Sequence, residues 1–359
     1  MRVKLEDVCE RGTSSLMQKD IVDKNGKYPV YGASGRIGSM ETYQQEHQTV
    51  AVVKDGAGIG RTMLLPEKSS VIGTMQYLIP KNCIESEYLY YVVKYMHLEK
   101  YFSGATIPHI YFRDYKTEEF NLHDKTEQRE IVSTLKRIEA IISNRQEQLT
   151  KLDELIKARF VEMFGTYPDN PFGWNTGKIQ DVVSNVRYGS SRPAVEGGKY
   201  PYLRMNNITY AGELDLTDTK RIDVPDSELD KCTVQRGDVL FNRTNSKELV
   251  GKTCVYNRDD MMVLAGFVIR VRVNERILPE FLVAFLNTAF SKQMLLRMCK
   301  TAIGQANINA KEMQNIGLYI PPIALQEQFV DLKKQTDKSK LFAELFAQSA
   351  CILAKNRSK

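Results

Sequence analysis

The sequence has few of the residues that build metal or disulfide sites. It contains six Cys and four His among 359 residues. The cysteines are scattered without a Cys-x-x-Cys pair, and no histidine lies near a cysteine cluster, which argues against a zinc site. Scattered cysteines are typical of free thiols in a reducing cytosol, so we expect a cytoplasmic protein.

Long hydrophobic runs are also missing. No apolar stretch approaches the ~20 residues that are needed to span a membrane, and the opening residues, MRVKLEDVCERG, do not resemble a signal peptide. We therefore expect no membrane partner. The formal net charge of +6 permits nucleic-acid binding without requiring it.

Motifs for catalysis are absent from the sequence. Gly56-Ala-Gly-Ile-Gly60 lacks the third glycine of a dinucleotide fingerprint and is followed by Pro66 rather than by a helix pattern, so we interpret it as a tight turn. Asn170-Pro-Phe172 lacks the second proline of the Asn-Pro-Pro-Tyr/Phe tetrad of adenine methyltransferases. Asp226 and Lys231 are not part of the acid-x-Lys triplet of a nuclease. With no Walker A loop either, we predict no catalytic residue, no cofactor and no metal in this chain.

The most regular part of the chain is a stretch from Thr126 to Gly165 without proline or internal glycine. Good helix formers dominate it, and its apolar residues recur at steps of three and four, which predicts one helix on the order of 55 Å long. Gly165 marks its expected end. A single apolar stripe on so long a helix needs a partner. We expect an interface formed by Ile131, Leu135, Ile138, Ile142, Leu149, Leu152 and Ile156.

A second stretch without proline or glycine, Leu325 to Lys359, offers that partner within the same chain. Its apolar positions Phe329, Leu345 and Phe346 complete the expected interface. Its seam is more polar, since Lys333, Thr336 and Lys340 stand where the first helix has Leu135, Ile138 and Ile142.

The two stretches belong to an internal repeat. Gln128 aligns with Gln326, 198 residues further on, and the same offset pairs Ile110 with Ile308. Two amphipathic helices can align by chance, but this match extends upstream into sequence that is not helical. The ends of the two units are alike and their middles differ in length, so two similar frames carry two different interiors.

This repeat predicts an α+β fold, in which two similar domains are separated by two long helices that form an antiparallel coiled-coil spacer. The expected bounds are 1–122 for the first domain, 123–165 for the central helix, 166–322 for the second domain, including a linker over 166–176, and 323–359 for the C-terminal helix.

Polar loops follow predicted strands in both domains. Base reading uses Arg or Lys for guanine and Asn or Gln for adenine, while Ser, Thr and Tyr bind phosphates. A solvated turn is the alternative for each residue. The candidate DNA-binding residues are Lys54, Arg61, Thr62, His109, Tyr111 and Arg113 in the first domain and Asn242, Arg243, Asn245, Lys247, Lys252, Gln305, Asn307 and Lys311 in the second.

These features resemble the DNA-specificity (S) subunits of type I restriction–modification enzymes. The resemblance covers the whole chain and rests on two variable units that alternate with two helical regions. Four sequence stretches also support it: Glu162–Gly165 leading to Asn170–Trp174, Gly237–Asn245, Leu249–Lys252, and Pro321–Gln326.

The resemblance implies a non-catalytic subunit whose two target-recognition domains each read one half of a split site in double-stranded DNA. It also implies that the helices dock two methyltransferase (M) subunits, which bind S-adenosylmethionine, and that restriction (R) subunits with ATP and Mg join them. Two alternatives remain open: a protein-interaction scaffold without a DNA role, and a self-contained DNA methyltransferase or nuclease.

Overall fold

The computed structural model of the chain describes residues 1–21, 26–104, 107–302 and 305–357, and their side chains except for 300–305 and 343–357. The chain divides into two compact units, residues 1–148 with 343–359 and residues 149–342. Within the described part, no helix is long and apolar enough to cross a membrane. The domain bounds expected from the sequence stay a prediction.

Unit 1 mixes short strands and helices. Its strands are β1 (Arg2–Lys4), β2 (Cys9–Thr13), β3 (Tyr28–Gly32), β4 (Gly35–Met40), β5 (Thr49–Val53), β6 (Thr62–Leu65), β7 (Ser70–Val71), β8 (Met75–Pro80) and β9 (Glu119–Asn121). Its helices are α1 (Leu5–Val8), α2 (Ser86–Tyr95), α3 (Phe112–Tyr115) and the first part of α4 (Lys125–Phe164), with 3-10 turns at Gln18–Asp20 and Leu98–Tyr101.

The main sheet of unit 1 has the strand order β2-β8-β5-β6, and all its neighbours are antiparallel. A second sheet has the order β4-β3-β7, in which β3 and β7 are parallel. The β-branched run of β5 is buried along its whole length, as a central strand covered on both faces must be. This places the end of β5 at the edge of a rigid core.

Unit 2 contains the second part of α4 and the following elements. Its strands are β10 (Asn175–Lys178), β11 (Val183–Tyr188), β12 (Tyr200–Leu203), β13 (Lys220–Ile222), β14 (Thr233–Val234), β15 (Val239–Asn242), β16 (Thr244–Asn245), β17 (Thr253–Val255), β18 (Met262–Leu264), β19 (Val268–Val273), β20 (Lys300–Ala302), β21 (Gln305–Asn307) and β22 (Gly317–Ile320). Its helices are α5 (Asp226–Cys232), α6 (Pro279–Leu286), α7 (Ala289–Met298), α8 (Ala310–Gln314) and the first part of α9 (Ile323–Arg357), with 3-10 turns at Ile179–Val182 and Met205–Asn207.

The sheets of unit 2 repeat those of unit 1. The order β11-β19-β15-β17 matches β2-β8-β5-β6, and β13-β12-β18, with β12 parallel to β18, matches β4-β3-β7. Unit 2 adds β14 to the second sheet and a three-stranded sheet of order β16-β21-β20. The expected pair of similar α+β frames with different interiors is therefore confirmed.

The first long helix, α4, ends where its sequence indicated. Gly165 has φ of 80°, and its N–H donates to the carbonyl of Val161 at 2.7 Å. A left-handed residue after the last helical turn suits glycine, because glycine has no Cβ to clash. A Cβ at this position would lie 2.4 Å from Cδ of Pro171.

Within unit 2, α4 packs antiparallel to α9. The Phe160 and Phe164 rings lie 5.3 and 5.7 Å from the ring of Phe329. Asp153, earlier in α4, accepts a hydrogen bond from Lys340, later in α9. Lys340, one of the polar residues that interrupt the apolar stripe of α9, is therefore ion-paired to α4.

The expected subunit interface needs correction at its most buried positions. Leu135 is only 1% exposed because the core of unit 1 covers it, and Phe329 is fully buried in the core of unit 2. Neither side chain can dock a separate subunit. Ile131 and Ile138 also pack on the unit 1 core, as Ile156 does on that of unit 2. The other expected interface positions are Ile142, Leu149 and Leu152, which are half-buried, and Leu345 and Phe346, which lie outside the described side chains.

Candidate nucleic-acid interface

In unit 1, the chain after β5 is held by two neighbouring segments. Val53 donates its N–H to the carbonyl of Arg61 at 2.9 Å and accepts one from Gly60 at 2.9 Å. Lys54 then accepts the N–H of Ile110 at 2.9 Å. Asp55 and His109 consequently face each other across an antiparallel bridge, although 54 residues separate them in sequence.

This bridge carries a charged cluster. Nδ1 of His109 lies 2.7 Å from Oδ1 of Asp55, and Nζ of Lys54 donates to Oδ2 of the same carboxylate at 2.7 Å. Burial raises the pKa of Asp55, but the hydrogen bonds from Lys54 and His109 outweigh burial and hold that pKa below its ordinary value. Asp55 is thus an anion that orients two candidate DNA-binding side chains.

Two further candidates extend the cluster on its exposed side. The ring of Tyr111 stacks near that of His109, at 6.3 Å between centroids and 21° between planes. The guanidinium carbon of Arg113 lies 4.8 Å from the Tyr111 centroid. Both Tyr111 and Arg113 are exposed, which leaves an aromatic face and a cation available to a ligand.

Arg61 and Thr62 follow the turn that ends at Gly60, and Thr62 is the first residue of β6. Nη1 of Arg61 donates to the carbonyl of Ala33 at 2.7 Å, and the Thr62 hydroxyl donates to the carbonyl of Gly60 at 3.2 Å. Arg61 remains exposed, whereas Thr62 is half-buried and serves the turn.

In unit 2, Arg243 occupies the equivalent place after β15. Asn242 exchanges backbone hydrogen bonds with Gly251 and Lys252, both at 2.8 Å, as Val53 does with Gly60 and Arg61. Arg243 then accepts the N–H of Ile308 at 2.9 Å, as Lys54 accepts that of Ile110. The repeat therefore equates Lys54 with Arg243.

The cross-strand partners are equivalent too. Thr244 pairs with Asn307 in the register in which Asp55 pairs with His109. Nδ2 of Asn307 donates to the Thr244 hydroxyl at 2.8 Å, and Nη2 of Arg243 donates to Oδ1 of Asn307 at 3.3 Å. Each unit thus holds a cation beside a polar cross-strand pair, but builds that pair from different residues.

Asn242 and Lys252 are corrections to the predicted DNA-binding set. Asn242 is fully buried, and Lys252 is only 7% exposed. Their side chains donate to the same carbonyl, that of Met205, at 3.4 and 2.9 Å, and burial lowers the pKa of Lys252. These hydrogen bonds hold both side chains inside the protein, so neither side chain can reach a DNA base.

The remaining candidates of unit 2 differ in exposure. Lys247 and Lys311 are exposed, and Asn245 is half-buried, with Oδ1 accepting the N–H of Ser246 at 2.9 Å. The side chain of Gln305 lies outside the described residues.

Three residues that the sequence analysis missed complete the two clusters. They are Asp55 and Thr244, described above, and Tyr188, whose ring centroid lies 4.9 Å from the guanidinium carbon of Arg243. The Tyr188 hydroxyl accepts the N–H of Ala310 at 2.9 Å, which fixes the ring. The positions of Asp55 and Thr244 directly after a candidate cation were a usable signal, whereas nothing local marked Tyr188.

A cleft of about 510 Å³ lies beside Arg243 and is also lined by Arg192, Arg204, Tyr202 and Phe267. Arg192 binds Glu228 with two hydrogen bonds of 3.2 and 2.7 Å, and Arg204 donates to Asp218 at 2.8 Å. Two of the three arginines in the cleft are therefore already neutralised by carboxylates. Arg243 has no carboxylate partner among the described residues, which makes it the principal cation there.

Among the described residues, no group of three or more His, Cys, Asp or Glu side chains could hold a metal ion.

The sequence model of the type I restriction modification DNA specificity domain matches this chain twice, over residues 1–153 and 171–345. The chain belongs to this family. The first match covers unit 1 through residue 148, and the second covers most of unit 2. The first includes Lys54 with its cross-strand pair, and the second includes Arg243 with its own pair.

Two relatives from this family are type I restriction enzyme specificity subunits. The EcoKI specificity subunit of Escherichia coli (strain K12) is 28% identical over 156 residues, which cover 42% of this chain and 33% of that protein. The MjaIX specificity subunit of Methanocaldococcus jannaschii is 27% identical over 154 residues, which cover 36% of this chain and 35% of that protein. The chain thus spans about a third of the length of these curated relatives.

Two solved structures share the fold along the chain. The S subunit of a type I restriction–modification system from M. genitalium matches with a TM-score of 0.57 at 16% identity, covering 100% of this chain and 95% of that one. A chain from a structure of the assembly and conformational transition of the type I R-M system matches with a TM-score of 0.60 at 17% identity, covering 100% and 96%. At this identity the likeness shows the fold, which agrees with the expected fold class.

Proposed function

We propose that this chain is the DNA-recognition subunit of a type I restriction–modification enzyme and that each unit reads one half of a two-part DNA site. The observation that carries the proposal is the repeated geometry of Lys54 and Arg243. Each cation follows a buried central strand and contacts a polar cross-strand pair. Arg243, which has no carboxylate partner among the described residues, is suited to a phosphate or a base edge. The ammonium group of Lys54 is held by Asp55 and can offer only its remaining N–H donors.

Family membership and the net charge of +6 support a DNA partner over a scaffold without a DNA role. We propose that the chain is not itself an enzyme, because its relatives are named specificity subunits. S-adenosylmethionine would then be bound by two methyltransferase partners, and ATP with Mg by restriction subunits. The unpaired Cys9, Cys83, Cys232, Cys254 and Cys299 support a cytoplasmic setting.

Exposed apolar side chains on the two long helices are better docking candidates than the buried seam. Leu341 and Phe342 on α9 are 57% and 66% exposed, and Ile141, Leu155 and Val161 on α4 are also exposed. Large apolar side chains in water favour a protein partner. We propose that these residues contact the methyltransferase.

The test is to express the full chain with the DNA methyltransferase proposed as its partner and to select bound fragments from a randomised DNA pool. We expect one enriched motif with two separate halves, and methylated adenines within the same motif in cells that carry both genes. The methyltransferase without this chain is the control and should enrich no such motif.

Two outcomes would contradict the proposal. A stable complex without any enriched DNA motif would favour the scaffold alternative. Binding of S-adenosylmethionine by the purified chain alone would favour the self-contained methyltransferase.

A further inference from the structure

We propose that Arg243 reads a guanine, that Asn307 is the residue that positions it, and that Lys54 is its counterpart in unit 1. This inference rests on the proposed function, which it deepens by assigning one base-reading position to each unit. The backbone hydrogen bonds that equate Val53 with Asn242 and Ile110 with Ile308 establish the equivalence of Lys54 and Arg243 independently of their side chains.

The guanidinium of Arg243 is held from two directions. The Tyr188 ring lies 4.9 Å from its central carbon, and Oδ1 of Asn307 accepts from its Nη2 at 3.3 Å. Each contact restricts rotation of the side chain. The planar end of Arg243 is therefore oriented before any ligand binds, which lowers the entropy cost of binding.

Asn307 uses both ends of its amide inside the protein. Its oxygen accepts from Arg243, and its nitrogen donates to the Thr244 hydroxyl at 2.8 Å. An Asn that reads adenine must offer both ends to the base. The arrangement therefore assigns Asn307 the task of aiming Arg243, rather than of reading a base itself.

The remaining donors of Arg243 match guanine. Asn307 is the one hydrogen-bond partner that the described residues provide to this guanidinium, and Nε is buried without a partner among them. Both N–H groups of Nη1 and the second N–H group of Nη2 are therefore left without a partner among the described residues. Two parallel donors fit the O6 and N7 acceptors of guanine in the major groove. A phosphate contact needs a cation but no such fixed orientation.

Lys54 places an ammonium group, rather than a guanidinium group, at the equivalent position. Its ammonium group is bound to Asp55, which His109 also contacts, so a carboxylate and an imidazole take the places of the Thr244 hydroxyl and the Asn307 amide. We therefore expect each unit to contact a base through this position. Lys54 should then affect the half of the DNA motif that Arg243 does not contact.

The experiment compares the DNA motifs selected from a randomised pool by complexes of the full chain with the methyltransferase. For Arg243→Ala we expect the guanine preference at one position of one half to fall by about 5- to 150-fold, the range for loss of one bidentate base contact. Arg243→Lys keeps the charge but not the rigid planar pair of donors, so it should weaken the same preference, though less than Arg243→Ala does. Arg258→Ala also removes one exposed arginine of unit 2, paired with Asp260 at 2.6 Å, and should leave the motif unchanged.

The positioning role has its own signature. Asn307→Ala should weaken the preference at the same base position as Arg243→Ala. The double variant should lose no more than Arg243→Ala alone, because both changes remove one contact. Lys54→Ala should alter a position in the opposite half. Thermal unfolding of each complex would verify that the variants are folded.

Several results would overturn the inference. Equal weakening of all sequences by Arg243→Ala, with a salt slope lower by about one, would make Arg243 a phosphate contact. A change at a different position in Asn307→Ala would make Asn307 a direct reader. An effect of Lys54→Ala in the same half as that of Arg243→Ala would end the equivalence. A wild-type complex that enriches no motif would refute the proposed function itself.

Discussion

Gln128 and Gln326 make the same three hydrogen bonds in the two units. Oε1 of Gln128 accepts the N–H of Glu85 at 2.8 Å, while its Nε2 donates to the carbonyls of Cys83 and His123 at 3.0 and 2.9 Å. Glu85 is the residue before helix α2, so this glutamine ties the start of α4 to the start of α2.

Gln326 repeats the arrangement in unit 2. Its Oε1 accepts the N–H of Leu278 at 2.8 Å, and its Nε2 donates to the carbonyls of Arg276 and Pro321 at 3.3 and 2.8 Å. Leu278 precedes α6 as Glu85 precedes α2. In both units, the repeated glutamine therefore links the start of the long helix to the start of an earlier helix.

We expect Gln128→Met and Gln326→Met each to destabilise the protein by at least about 1–3 kcal/mol. Both glutamines are fully buried. Methionine cannot replace their hydrogen bonds, and each buried backbone group that is left without a partner costs about 1–3 kcal/mol of unfolding free energy. Urea unfolding measures the loss. Gln235→Met is the control, since Gln235 is exposed. Variants at 128 and 326 as stable as this control would contradict the assignment.

Lys292 should make stability depend on pH in the alkaline range. Burial, aided by the nearby charge of Lys252, lowers the pKa of Lys292 from 10.5 to about 8. Between these two values the unfolded chain binds more protons than the folded one, so this residue makes stability rise with pH. Below about pH 8 the charged group is a constant penalty.

Lys292→Met should therefore be more stable than the wild type at pH 7, and the difference should shrink as the pH rises from 8 to 10. Urea unfolding at several pH values gives the unfolding free energies of the wild type and of Lys292→Met. Lys311→Met serves as the control because Lys311 is exposed. A difference that stays constant across this range would show that Lys292 does not titrate there.

The ion pair between Asp153 and Lys340 should contribute a modest, salt-dependent coupling. Burial lowers the pKa of Lys340, but the hydrogen bond from its ammonium group to Asp153 and the charges of Asp337 and Glu213 outweigh burial and hold that pKa above its ordinary value. Asp153 is partly exposed, which screens the pair. A double-mutant cycle with Asp153→Ala and Lys340→Ala should give about 1 kcal/mol at low salt and less in 1 M NaCl.

The matched control is the exposed pair Lys334–Asp331 on α9, whose atoms lie 3.8 Å apart. Its cycle should give a coupling near zero. A coupling between Asp153 and Lys340 no larger than this control would mean that the polar seam of α9 does not stabilise its packing on α4.

The proposed function predicts modular recognition. Replacing residues 174–322 with the second unit of another family member should change one half of the selected DNA motif and leave the other half intact, because each unit has its own core and its own cation cluster. DNA selection with the hybrid complex measures this. The same complex carrying the unexchanged chain is the control, and a change in both halves would contradict the independence of the units.

Local sequence patterns determined the long elements and the repeat. The heptad steps and the glycine at 165 located α4 to within a residue at each end, because helix formation depends on neighbours three and four residues apart. The paired glutamines revealed the repeated frame because each lies at a fixed distance from the start of its long helix.

Only the tertiary structure decided which polar residues can meet a ligand. Asn242 and Lys252 belong to the same polar stretch as Arg243, yet strand pairing buries them and leaves Arg243 partly open. Asn307 reaches Arg243 from 64 residues away, as His109 reaches Asp55 from 54. Such contacts depend on the register between distant strands, which no local pattern encodes, so the sequence indicated the chemistry of the site and the fold selected its members.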